Sequence, residues 1–435
     1  MSTQHSELAQ DATSTGPAAG EYPPDVRLVQ RRPVSRLTAS DGSALAWLMS
    51  RAAESTGPAE LLDGVIARLV AAGQPIERAT LNMSTLHPQL LGITANWRGD
   101  LGFCDEMQVN GHVRETADYL TSPLRPIIEE GRSIRVNPQD PSAASTYPIM
   151  RTLAAAGFTD YWGFALKREE RQFSLMTLAT CRAGGFSNST VEVIEALLPA
   201  LALNVEIVSR GKIAEHVLDA YLGRRIGKRV LAGDIKRGFG ETIDAVIWVS
   251  DMRNFTGLSD RIESSDMVRL LNAFFEGLVD AVHRQEGEVL KFVGDGMLAI
   301  FPISVSHPGP AAAAAALVAA REGLAAVDVL NEAGSSGPTR DLSWRPLSMG
   351  IALHRGTVFF GNIGSKDRLD FTVIGPAVNL AARLETLSKS TGRRLLLSGK
   401  LAELLEEPAE KLGDFPIRGI PDPVTVFAAT DKRAN

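Results

Sequence analysis

The sequence predicts an α+β protein built from more than one domain, and three observations lead there. The chain has 435 residues, enough for two or three domains of roughly 100–200 residues each. Residues 39–208 read in the order helix, hairpin, helix, strand, strand, helix, a mixed order that suits an α+β domain. Residues 244–430 run through strands and helices a second time, and no internal repeat links the two stretches.

The elements follow in order. Residues 1–38 are rich in Ser, Thr, Ala, Gly and Pro, and predict a disordered segment. "GPAELLDGVIARLVAAG" (57–73) has Pro58 early, apolar residues at helical spacing and Gly73 at its end, so it reads as a helix. "RATLNMSTLH" and "LLGITANWRG" read as two strands around His87-Pro88. Residues 100–147 look irregular, ending in the Pro-rich "VNPQDPSAASTYP". "IMRTLAAAG" is a helix, "YWGFALKRE" and "SLMTLATCR" are strands, and a long helix starts near Ser187. Residues 209–240 form a basic linker, helical in its first half; with almost no aromatics to stack on bases, they predict a coupling helix rather than a nucleic-acid patch.

In the second half, "DAVIWVSD" (244–251) is a strand ending in a carboxylate. "SSDMVRLLNAFFEGLVDAVHRQEG" is an amphipathic helix, with Ser264, Ser265 and Asp266 at its start and Gly287 as its stop. "EVLKFVGDGMLAIF" (288–301) is a hairpin, apolar on both faces of its first strand, which predicts a central strand. An Ala-rich helix follows, then the strands "PLSMGIALHRGTVFFGNIG" and "LDFTVIG". "GPAVNLAARLETLSKSTG" is a helix opened by Pro376 and closed by Gly392. "RLLLS" and "DPVTVFAAT" are the last strands.

Composition excludes several classes. Hydrophobic residues make up 44% and charged residues 22%, as in ordinary globular proteins. A net charge of −6 gives no overall pull toward nucleic acid. Cys104 and Cys181 lie far apart and show no metal spacing, which predicts a reducing, cytoplasmic setting. His87 and His112 have no partner at ligand spacing. The first residues lack a basic start followed by an apolar stretch, so no signal peptide is predicted. The most apolar long segment, "VEVIEALLPALALNVEIV" (191–208), contains three glutamates and a proline, and no membrane span is predicted.

Three places carry chemistry. Lys291 sits inside an apolar strand, where an unpaired ammonium is costly, so it needs a partner or a ligand. Asp295 lies at a Gly-flanked hairpin tip, and Asp251 ends a neighbouring strand candidate. If the two strands pair, the carboxylates meet at one sheet edge, where they repel unless a cation lies between them. Mg²⁺ accepts such a site, taking few carboxylates plus waters and phosphate oxygens. The loop "RNFTG", with Phe255 and Thr256, can offer backbone N–H groups to a phosphate. Asn379 and Arg383, four apart, project from one helix face, suited to a sugar and a polyanion.

The segments "SDMRNFTG", "KFVGDGMLAIF", "FTVIGPAVNLAARLE" and "IRGIPDPVTVF" resemble the catalytic domain of class III nucleotide cyclases, in family order, from Asp244 to Thr430, which implies a catalytic domain over residues 241–432. The resemblance implies a ferredoxin-like (βαββαβ) fold. It implies that Asp251 and Asp295, with the Met252 carbonyl, hold two Mg²⁺ or Mn²⁺ ions per active site. It implies that Lys291, paired with Thr372, reads the purine. Asn379 resembles the ribose-orienting asparagine, Arg383 the arginine at the reacting phosphate, and Arg418 the basic position at the triphosphate tail. Lysine with threonine matches bacterial adenylyl cyclases, so the implied reaction turns ATP into 3′,5′-cyclic AMP and pyrophosphate. A single catalytic set implies a homodimer with shared sites. Asn254, where glycine is common, and Pro376-Ala377, where Asp-Thr is frequent, depart from the family pattern. Residues 39–208 resemble a GAF domain, most clearly over 153–202, which implies a sensor domain with a small-molecule effector; a PAS-like sheet is the alternative. A guanylyl cyclase, a diguanylate cyclase and an inactive scaffold are the rivals. The diguanylate hairpin GGDEF is absent, and all four of Asp251, Asp295, Asn379 and Arg383 are present.

Overall fold

A computed structural model describes residues 22–50, 57–85, 90–169, 172–260, 262–333 and 346–429. The chain divides after Val217 into two compact units. Among the described residues, no helix is long and apolar enough to cross a membrane. His87 and most of the segment expected to be disordered, residues 1–21, lie outside the described residues.

The first unit is built on a seven-stranded antiparallel sheet. Its strands are β1 (Val26–Pro33), β2 (Arg78–Ser84), β3 (Leu90–Arg98), β4 (Phe103–Asn110), β5 (Ile134–Val136), β6 (Asp160–Glu169) and β7 (Gln172–Thr180). They lie in the order β1-β4-β3-β2-β7-β6-β5. The helices are α1 (Ala44–Ser50), α2 (Pro58–Ala71), α3 (Ala117–Leu120), α4 (Leu124–Glu130), α5 (Pro141–Thr146), α6 (Ile149–Ala155) and the long α7 (Asn188–Leu222). Pro58 opens α2, where its missing N–H costs nothing. Leu61, Leu62, Val65 and Ile66 of α2 meet Leu81 and Met83 of β2 and Leu197, Leu201 and Val205 of α7 in one core.

Two expectations are corrected here. The disordered segment was expected to reach residue 38, yet residues 26–33 form β1, which pairs with β4. Its burial is irregular, as suits an edge strand, so it carries no period-2 pattern to read. Residues 100–147 are not irregular: they hold β4, a strand paired on both sides, and several short helices.

The second unit carries an eight-stranded sheet. Its strands are β8 (Gly240–Met252), β9 (Glu288–Val293), β10 (Gly296–Pro302), β11 (Met349–Gly364), β12 (Leu369–Ile374), β13 (Leu395–Ser398), β14 (Ala409–Phe415) and β15 (Val424–Ala429). Their order is β14-β15-β13-β11-β8-β10-β9, with β12 paired to β11 off this path. The helices are α8 (Arg224–Leu231), α9 (Phe255–Ser259), α10 (Ser264–Arg284), α11 (Gly309–Ala333), α12 (Pro376–Thr391) and α13 (Gly399–Ala402). Alternation along β8 divides the core. Val246 and Trp248 pack with α10 and α11 through Leu270, Phe274, Leu278 and Ala316. Ala245 and Ile247 face the other way, toward Phe360 of β11 and Ala381 of α12.

Three details differ from expectation. β9 is an edge strand, not a central one; Phe292 and Val293 are apolar yet exposed, so apolar content misled the reading. The stop of α10 is set by Glu286, at φ 58°, rather than by Gly287. The boundaries expected at 208 and 240 do not coincide with the division of the chain, which falls inside α7, and the end of the expected linker is α8, whose Ile226 is buried in the second unit's core.

Candidate active site

β8 lies between β10 and β11, so its last residues are held on both sides. Asp251 therefore projects from a fixed strand end. Its Oδ2 accepts a hydrogen bond from Lys389 Nζ of α12 at 3.1 Å. The next residues turn sharply. Asn254 adopts φ 58°, a left-handed conformation that asparagine tolerates better than most side chains. This explains why asparagine serves where the family pattern favours glycine. Phe255 then starts α9, its ring partly buried against the core. Thr256 is exposed, and its carbonyl accepts from the Ser259 hydroxyl at 2.8 Å.

The β9–β10 turn places Asp295 beside this strand end. A Cβ on Gly296 would lie 2.7 Å from the Ser250 carbonyl oxygen and 3.4 Å from Asp251 Oδ1, so glycine is required where the hairpin closes on β8. Burial pushes the Asp295 carboxyl above its ordinary pKa; the charge of Asp251 adds to this, while Lys389 and the Met252 N–H oppose it. Met252 itself is buried in the core. A third carboxylate, Glu385 of α12, is raised by burial first and then by Asp251. Arg253 donates to the Ser388 hydroxyl at 2.7 Å on the same helix. Lys389, Glu385 and Ser388 were not anticipated; the only available signal was their helical spacing after Arg383.

Among the described residues, no group of three His, Cys, Asp or Glu side chains forms a self-sufficient metal cage. Two adjoining carboxylates, one held above its ordinary pKa by burial and like charge, still fit a divalent ion that keeps several waters or phosphate oxygens.

The other site residues lie elsewhere. Lys291, on β9, donates to Asp370 Oδ2 of β12 at 2.8 Å, both groups being substantially exposed. Within one chain its ion-pair partner is Asp370. Asp370 and Thr372 alternate onto the same face of β12, Asp370 exposed and Thr372 buried. Thr372 is buried, and its hydroxyl has no hydrogen-bond partner. Asn379 is exposed in the first turns of α12. The Arg383 guanidinium packs against Gly419, within 3.3 Å of where a Cβ would stand, which brings it to the loop holding the exposed Arg418. Neither arginine has an ion-pair partner among the described residues.

Within one chain the set is split. Lys389, which touches Asp251, is ten residues from Asn379 and six from Arg383, about 15 Å and about 9 Å along the helix at 1.5 Å per residue. In one chain Asp251 lies beside Asp295, and Arg383 beside the Arg418 loop.

Residues 241–429 match the family described as the adenylate and guanylate cyclase catalytic domain. This stretch is a class III cyclase catalytic domain. An adenylate cyclase of Anabaena cylindrica is 32% identical over 175 residues, covering 40% of this chain and 33% of the relative. The chain spans about a third of the length of the curated relatives it matches. The adenylyl cyclase CyaB from P. aeruginosa is similar at 26% identity and a TM-score of 0.41, covering 45% of this chain and 98% of that one. The guanylyl cyclase Cya2 is similar at 28% identity and a TM-score of 0.38, covering 45% and 97%. The cyclase family so named includes both adenylate and guanylate enzymes.

Proposed function

We propose that the cyclase domain converts ATP to 3′,5′-cyclic AMP and pyrophosphate, in a cytoplasmic homodimer whose sites are shared between two copies of the chain. The buried Thr372 hydroxyl, left without a partner, carries the choice of base. It can accept from the adenine 6-amino group while Lys291 donates to a ring nitrogen. A single catalytic set in the chain supports sharing: Asp251 and Asp295 of one copy would face Asn379, Arg383 and Arg418 of the other. The β8–α10–β9–β10–α11–β11 run, with its strands ordered β11-β8-β10-β9, supports the ferredoxin-like reading.

Asp251, Asp295 and the Met252 carbonyl would hold Mg²⁺ or Mn²⁺, two ions per site. When bound, such ions acidify the ribose 3′-OH and neutralise phosphate charge. Asn379 holds the ribose so that its 3′ oxygen approaches the α-phosphorus in line with the departing pyrophosphate. Arg383 and Arg418 meet the negative charge that grows on the phosphates. Residues 39–208 are read as a GAF-like regulatory domain with a small-molecule effector; its mixed helix and sheet content supports this.

Asp370 favours a second reading, GTP as substrate, because a carboxylate beside Lys291 can accept from the guanine N1–H and 2-amino groups. Incubating the purified chain with ATP or GTP plus Mn²⁺, and identifying the product, decides. Cyclic AMP is expected. Cyclic GMP as the main product overturns the base assignment, and no product from either nucleotide favours the inactive scaffold.

A further inference from the structure

The first unit's sheet has a second face, turned away from α2 and α7. A row of polar side chains crosses it in register: Arg31 opposite Asp105, Asp105 opposite Asn96, Asn96 opposite Thr80, and Thr80 opposite Thr177. Most of these groups satisfy one another. Asp105 accepts two hydrogen bonds from the Arg31 guanidinium and one from the Tyr22 hydroxyl. The Thr80 and Thr177 hydroxyls pair at 2.7 Å. Asn82 accepts from the Thr94 hydroxyl at 2.7 Å.

Two neighbours in this surface are left over. Asn96 is 8% exposed, and its Oδ1 is buried without a hydrogen-bond partner. A buried unpaired acceptor costs about 1–3 kcal/mol. Arg78, diagonal to it across the β2–β3 ladder, has no ion pair or hydrogen bond among the described residues. It stands directly opposite a second arginine, Arg98, whose own charge is taken up by Asp100. Like charges directly opposed across a ladder are destabilising. Burial, and then Arg98, pull the Arg78 guanidinium below its ordinary pKa. The surface thus holds two arginines that share one carboxylate, Asp100, and one unpaired acceptor on the same face of adjacent strands.

We infer that this face binds a small oxyanion that carries its own O–H donor, seated between Arg78 and Asn96. Anionic oxygens meet the planar guanidinium, which can bind two of them at once. The anion's hydroxyl donates to Asn96 Oδ1. Hydrogen phosphate has both features at neutral pH. Sulfate has the oxygens but no proton, and would set an oxygen against Oδ1. The inference is independent of the cyclase chemistry.

The test is calorimetric titration of the full chain with inorganic phosphate and, separately, sulfate, with thermal midpoints recorded for each. Saturable phosphate binding is expected, at least about tenfold tighter than sulfate, since a site with a buried polar group discriminates against an analogue that leaves it unpaired. Arg78→Gln should weaken both anions at least about tenfold. Asn96→Val should abolish the preference for phosphate while keeping the charge. If Arg78→Gln fails to fold, judged by its midpoint without anion, the phosphate-to-sulfate ratio in Asn96→Val decides alone. No saturable phosphate binding, equal binding of the two anions by the unaltered chain, or an unchanged ratio in Asn96→Val overturns the inference.

Discussion

The carboxylates of the two units are treated differently. In the first unit, Asp63 is 1% exposed and accepts from the Ser35 N–H and hydroxyl and from the Trp97 indole. Asp105 is fully buried and held by Arg31 and Tyr22. Asp160 is held by Arg135 and the Phe186 N–H. In the second unit, Asp251, Asp295 and Glu385 crowd together with Lys389 as the cation that touches Asp251, and both Asp295 and Glu385 are pushed toward their protonated forms. A carboxylate that serves the fold is given its donors by the fold. Asp295 and Glu385 are instead raised in pKa by burial and then by the charge of Asp251.

This contrast can be broken by substitution. Asp251→Ala or Asp295→Ala should lower cyclic nucleotide formation about 10³-fold or more, with the thermal midpoint unchanged or raised because a like-charge contact is relieved. Retained activity in a nucleotide-cyclisation assay removes the catalytic half of the contrast. Mixing equal amounts of Asp251→Ala and Arg383→Ala protein should restore about a quarter of full activity, since half the dimers then hold one intact site. Absence of rescue under proven subunit exchange argues against shared sites.

Asp105→Ala, by comparison, should cost about 1.5–3 kcal/mol in urea unfolding, because the Arg31 guanidinium and the Tyr22 hydroxyl lose their hydrogen bonds to it. A loss below about 1 kcal/mol would place Asp105 among surface pairs instead.

Glu288 sharpens the contrast from another side. It is 9% exposed, neither of its oxygens has a hydrogen-bond partner, and Arg225 lies 3.9 Å away. Burial, only partly offset by Arg225 and Arg229, raises its pKa to about 7. The folded state then holds this proton where the unfolded chain has already lost it. Stability therefore falls as pH rises from about 4.5 to about 7, and the loss, up to about 3 kcal/mol, is complete above that window. Glu288→Gln should flatten the slope in pH-dependent denaturation and stabilise the protein at pH 8. The smallest effect is expected at Asn254, where alanine should cost about 1 kcal/mol and glycine little, from the left-handed backbone.

Much of the second unit was legible because its strands are compact apolar runs and its helices are marked by proline and glycine, as at Pro376 and Gly392. β1 and β14 were missed because edge strands rich in charge, such as "AEKLGDF", lack a buried face to read. The neighbourhood of Asp251 and Asp295 was legible only on the condition that β8 and β10 pair, which they do. The Lys291–Asp370 ion pair was not legible, because nothing in the sequence says that β12 lies beside β9. Lys389 gave only a weak sign, its helical spacing after Arg383, since a lysine in the last turn of a helix is ordinary dipole chemistry.

Every residue of β8 is paired with β11, from Gly240 opposite Gly361 to Met252 opposite Met349. A ladder of that length moves in whole steps, and a single step turns every side chain to the opposite face. Asp251 is therefore a benchmark and not a dial. It cannot be eased a fraction of an ångström along its strand, so any graded adjustment of the site falls to the parts measured against it: the Asp295 turn and the side chains of α12.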